Sequence, residues 1–126
     1  MAEEKKGFSE EVIEEFCSGK IKDFNNLLPN LKRLHPEWST NQLAVNLMEF
    51  GRGQISGIGD PDDKDINFFK RYLAALEKEN CKEDKFFLAA YLGGCIMGLV
   101  QLGHLEPESF IDAMEVSRKR AMSYNQ

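Results

Sequence analysis

At 126 residues, 29% of them charged and 42% hydrophobic, the chain suits one domain that buries about two thirds of its unfolded surface without a metal or disulfide staple. Sixteen basic residues against 21 acidic ones leave a net charge of −5. That is the wrong sign for affinity drawn from phosphates, so no direct nucleic-acid binding is expected.

The opening residues, Met1-Ala2-Glu3-Glu4-Lys5-Lys6, lead into no apolar h-region or small-residue cleavage pattern. The expectation is a cytoplasmic protein whose residues 1–8 form a flexible tail. Cys17, Cys81 and Cys95 are odd in number, widely spaced and without a Cys-x-x-Cys pair. This argues against a disulfide framework and a thiolate metal site, and Cys95 reads as a small reduced core residue.

Ser9 is placed to cap a first helix, with Glu10 and Glu11 in the positive end of its dipole and Phe8 and Ile13 spaced as a hydrophobic staple. Val12, Ile13 and Phe16 form its apolar face, and Gly19 is expected to end it. From residue 21 to 34, Phe24, Leu27, Leu28, Leu31 and Leu34 recur at helical spacing. Pro29 is expected to split this stretch into two short helices, and His35-Pro36 to close it. Ser39-Thr40-Asn41-Gln42 reads as a capping box for a helix with Leu43, Ala44, Leu47 and Met48 on its buried side, stopping at Gly51.

Residues 51–60 hold four glycines in ten positions and read as a Gly-rich loop. Asp60 then offers an N-cap, Pro61 suits the first helical position, and Asp62 and Asp63 sit where negative charge is favourable. Ile66, Phe69, Leu73 and Leu76 line the helix that follows, widened by Phe68 and Tyr72, to about Asn80. Residues 86–102 run for 17 positions without a charged side chain. A membrane span needs about 20 apolar residues, so this run reads as a buried central helix over about 83–102. Its small-residue spacing, Gly94-x-x-x-Gly98, serves close helix approach in water as it does in lipid. Glu106-Pro107-Glu108 starts a last helix whose face is Phe110, Ile111, Met114 and Ala121. Strand periodicity is nowhere sustained. The fold expected is a single all-α domain over 1–126, a globular bundle of five to seven helices around the central apolar one.

Groups for catalysis are sparse. His35 and His104 are the only imidazoles and neither has ligand spacing to another, so no metal, cofactor or catalytic residue is expected. Asp60 to Asp65 fails as a calcium loop, with Lys64 fifth, Asp65 sixth in place of glycine and Arg71 twelfth in place of glutamate. Arg52 and its flanking glycines invite a phosphate reading, but they follow a helix and lack a P-loop lysine, which leaves a linker or recognition loop. Trp38 is either a partly buried turn anchor or an interface anchor. The basic clusters, among them Lys32-Arg33, leave a helical transcription regulator as a distant reading that the charge sign disfavours.

What remains is surface. Glu10, Glu14, Asp60, Asp62, Asp63, Asp65, Trp38 and Arg52 are the candidate partner-binding residues, forming a field suited to a basic protein. In size, unsignalled N-terminus and the acidic runs Glu10-Glu11-x-x-Glu14-Glu15 and Asp60-x-Asp62-Asp63-x-Asp65, the chain resembles the all-helical immunity proteins of bacterial contact-dependent growth-inhibition systems. The resemblance implies an inhibitor that covers the active surface of a basic toxin domain such as a nuclease; it carries over no individual binding residue. The alternative is a small-ligand protein or enzyme with a site between helices, where Gly93, Gly94 and Gly98 would leave space beside Tyr91, Cys95 or His104.

Overall fold

The computed structural model describes residues 9–81 and 83–124. They form five α-helices, α1 (Glu10–Leu34), α2 (Thr40–Ser56), α3 (Asp63–Lys78), α4 (Glu83–Leu102) and α5 (Phe110–Met122), with a 3-10 turn, Pro107–Ser109, before the last. Among the described residues no strand occurs. The result is the all-α bundle around one apolar helix that the sequence predicts. In α4 every residue from Phe86 to Gly98 is buried, because the other four helices cover it on all sides. The helix is long and apolar enough to cross a bilayer, yet 72% of its apolar window is already buried by protein.

Paired side chains give the helix directions. Phe24 meets Tyr91 with ring centroids 6.1 Å apart and Lys32 pairs with Asp84 at 3.8 Å, so α1 runs antiparallel to α4. Gln101 donates to Asp65, while Tyr72 and Met114 both pack over Gly93, which sets α3 antiparallel to α4. Met122 and Tyr124 lie beside Phe87, so α5 is antiparallel as well. Only α2 runs with α4, Met48 lying on Gly94 and Ile55 on Gly98.

This parallel pair touches backbone to backbone. A Cβ at Gly94 would overlap the Met48 carbonyl, one at Gly98 would lie 2.8 Å from the Arg52 carbonyl oxygen, and one at Gly51 would lie 2.7 Å from that of Tyr91. Three glycines are therefore needed for the closest helix contact in the molecule.

Several local expectations are corrected. Gly19 does not end the first helix and Pro29 does not split it, because α1 runs unbroken for 25 residues. Ile13, Cys17, Phe24 and Leu28 make one buried face across both positions, and burying it outweighs about 1 kcal/mol for a glycine and about 3 kcal/mol for a proline in a helix. Ser9 occupies the N-cap without a side-chain hydrogen bond, and the proposed Phe8 staple lies outside the described residues, as do all of residues 1–8 and their expected flexibility. The expected loop 51–60 is helical through Ser56. Gly51 and Ile55 continue the stripe of Ala44, Leu47 and Met48, and α2 stops only at Gly57, whose φ of 72° is left-handed.

The loop proper is 57–62. Asp62, not Asp60, caps α3, accepting from the Asp65 N–H at 2.9 Å. The Ser39 capping box forms as expected, with Ser39 Oγ accepting from Gln42 N–H at 3.1 Å and Gln42 Oε1 from Ser39 N–H at 2.8 Å. In α5, Ala113, Met114, Val116, Ser117 and Ala121 face inward, while Ile111 is 68% exposed and leaves the expected face.

Candidate functional site

Two ends of the bundle follow from these directions. The starts of α1, α3 and α5 share the end that carries the 57–62 loop, and the starts of α2 and α4 share the end that carries Trp38. Acidic residues occupy the first turns of α1 (Glu10, Glu11), α3 (Asp63, Asp65) and α5 (Asp112), and basic ones the last turns (Lys32, Arg33, Lys78, Lys119, Arg120). Each placement suits the dipole of its own helix. Because these three helices are parallel to one another, the placements add to an acidic loop end, while at the Trp38 end the basic last turns meet Glu83 and Asp84 in the first turn of α4.

The loop is held from beneath by Arg52. This side chain, expected in an exposed loop, lies on α2 and is 1% exposed. The helix continues past Gly51 and turns Arg52 under the chain that follows. Its guanidinium donates to the carbonyls of Ile58 and Gly59 and, at 3.0 Å, to Gln101 Oε1. Gln101 Nε2 in turn donates to both Asp65 carboxylate oxygens, at 3.2 and 3.3 Å, and Arg52 Nε lies 4.0 Å from Asp65 Oδ2. One buried cation thus ties α2, α3, α4 and the loop together. Arg52 is corrected from a partner-binding residue to an internal clamp.

The remaining candidates separate by position. Asp60, Asp62 and Asp63 are exposed at the loop end, where Glu10 and Glu14 are exposed at the start of α1. Asp65 is drawn inward, its side chain 14% exposed and engaged by Gln101. Trp38 stands at the opposite end, half-buried, its ring stacked on His35 with centroids 3.8 Å apart. The structure therefore brings the acidic candidates to one end and leaves Trp38 apart from them as an anchor of the turn between α1 and α2.

Space between the helices is not found beside the three glycines of the ligand reading, and Tyr91 borders only a shallow groove of about 260 Å³. The volumes beside Gly94 and Gly98 hold the α2 backbone, and that beside Gly93 holds the side chains of Tyr72 and Met114. His104 is exposed beyond the end of α4. Burial pushes the Cys17 and Cys95 thiols up to about 12, with smaller opposing effects of Arg120 on Cys17 and of Lys20 on Cys95. Such thiols are protonated near neutrality and are poor nucleophiles. Burial also raises the Cys81 thiol and the Tyr72 and Tyr91 hydroxyls. Among the described residues no group of three His, Cys, Asp or Glu has metal-binding geometry.

A depression of about 860 Å³ lies at the Trp38 end between the last turns of α1 and α5 and the start of α4. Its charges are partly matched internally, with Lys32 between Asp84 at 3.8 Å and the Phe87 ring at 5.5 Å. None of the candidate residues lines it.

Sequence reasoning misses Phe50, which is 47% exposed on the outer side of α2, and the carboxylates of Asp23 and Glu49 near it. A signal was present: at helical spacing Phe50 falls beside Asn46 and Gln54, at the edge of the buried stripe of Leu47, Met48 and Gly51. Comparison of the chain with known protein families, curated proteins and solved structures finds no match.

Proposed function

We propose that this protein is a small acidic inhibitor acting in the cytoplasm, an immunity protein that binds a basic toxin domain and covers its active surface. The observation that supports it most directly is the gathering of the α1, α3 and α5 starts, with their acidic residues, at one end beside a loop held by Arg52. Asp60, Asp62 and Asp63 are exposed there, and none of them is ion-paired with another described residue. A nuclease toxin carries lysines and arginines to hold phosphates, and carboxylates presented on a fixed loop compete for those groups. Long-range attraction between the two fields raises the association rate, and short-range pairing together with shape blocks the cleft.

Affinity capture of the tagged protein from its native cells, at low and moderate salt, followed by mass spectrometry, tests the reading. The expected result is a stoichiometric basic protein whose toxic activity the purified inhibitor abolishes one to one. The triple variant Asp60→Asn, Asp62→Asn, Asp63→Asn keeps a capping side chain at position 62 and should slow association about tenfold at low salt while flattening its salt dependence. A captured partner that is acidic, or an on-rate that the triple variant leaves unchanged, removes the loop end from the interface.

A further inference from the structure

The helix α2 turns one side to α4 and the other to solvent, and Phe50 stands on the solvent side. Two shallow grooves share it as a wall. One, of about 260 Å³, lies toward α1 and is lined by Asp23, Leu27 and Gln54 among others. The second, of about 230 Å³, lies toward the loop and includes Glu49, Gly53 and Asp60. The charged residues lining the pair are Asp23, Glu49, Asp60 and Arg52. Arg52 is buried and engaged, so every charge lining the grooves that solvent meets is negative. Asp23 has Lys20 at 3.2 Å, yet its side chain stays 50% exposed.

We propose that this face of α2 docks a basic segment of a protein partner, with an apolar side chain set against Phe50 and its cations against Asp23, Glu49 and Asp60. An aromatic side chain between grooves and ringed by polar groups has the anatomy of a binding hot spot, where the rim excludes water from the anchor. Asn26, Asn30 and Asn46 in the same grooves supply hydrogen-bonding amides. Charge chooses the occupant. A second copy of the chain, paired about a two-fold axis, would set these carboxylates against themselves, whereas a cationic segment meets an opposite charge on both sides of the anchor. The proposal rests on the inhibitor reading for the basic nature of the natural partner, and it extends the contact from Asp60 along α2.

Selection of displayed random 12-residue peptides on the purified full chain tests it without the natural partner, so its failure is distinct from failure to capture a toxin. The enriched peptides should combine lysine or arginine with an aromatic or branched aliphatic residue. Phe50→Ala should weaken their binding about tenfold or more, as removal of a hot-spot anchor does. Glu49→Gln with Asp60→Asn should weaken it mainly at low salt. Phe50 is half-exposed, so its alanine variant should keep the native circular dichroism and melt within a few degrees of the parent. Peptides without cations, binding indifferent to Phe50→Ala, or no enrichment would overturn the proposal. Sedimentation showing a dimer that Phe50→Ala disperses would give the face to a second copy instead, and overturns it too.

Discussion

Glycine has opposite meanings at two positions of this chain. Gly19 lies in the middle of α1 with open space where a Cβ would go, and Gly94 lies where a Cβ would overlap the Met48 carbonyl. Gly19→Ala should therefore stabilise the fold by about 0.5–1 kcal/mol, the helical advantage of alanine over glycine. Gly94→Ala should destabilise it by about 3 kcal/mol or more, because the obstacle is backbone and cannot change rotamer. Urea unfolding of the two variants checks both signs; similar effects at the two positions would contradict the close contact of α2 with α4. The thiols make a second residue-scale case. An unfolded cysteine ionises near 9.0, and native Cys17 and Cys95 near 12. Both native values are raised, so the contribution to stability is complete below pH 9 and is lost as pH rises from 9 toward 12. The slope is about 1.4 kcal/mol per pH unit for each thiol. Stability measured by denaturant titration from pH 8 to 11 should fall accordingly, and less steeply in Cys17→Ser.

At the scale of the element, α1 shows how tertiary burial overrides a local breaker. Pro29 is exposed, and its ring removes the hydrogen bond its own N–H would have made to the Asn25 carbonyl. Pro29→Ala should restore that bond and stabilise the protein by about 1–3 kcal/mol, read as an increase in the urea midpoint with an unchanged slope. A loss of stability would mean that the proline's restriction of the unfolded chain outweighs the bond. The same competition explains which elements were legible in the sequence. The uncharged run marked α4 almost to the residue, and the Ser39 box marked the start of α2, because both signals are chemical and local. Gly19, Pro29 and Gly51 were misread because their meaning is set by what lies beside them. Gly51 resembles a loop residue until the Tyr91 carbonyl is placed against it. The acidic loop was visible as sequence, but its clamp was not, since Arg52 turns under the loop only if the helix continues to Ser56; Phe50 lay inside the predicted helix and was passed over.

Across the whole molecule, three helices with acidic starts and basic ends lie side by side, so charge placements that suit each helix singly sum to a polarised bundle. The basic end is partly compensated locally: Arg118 binds Glu79 at 2.8 Å and Glu115 at 2.6 Å, and this hydrogen bonding holds the Glu115 carboxyl below its usual range. At the loop end Arg52 is buried and turned inward, which leaves Lys64 as an exposed cation among the carboxylates of the α3 start. The contact of α2 with α4 also spans the molecule, since all of α3 lies between Met48 and Gly94 in the chain. On a ribosome adding about 5–20 residues per second, α2 emerges several seconds before the helix that must cover its glycine-bearing face. Closing so long a segment before the backbones can meet makes their meeting a late and entropically costly event, slower than the hairpin-like pairing of neighbours. In the interval the nascent chain carries an unpaired apolar helix, and chaperone demand during synthesis should be concentrated there.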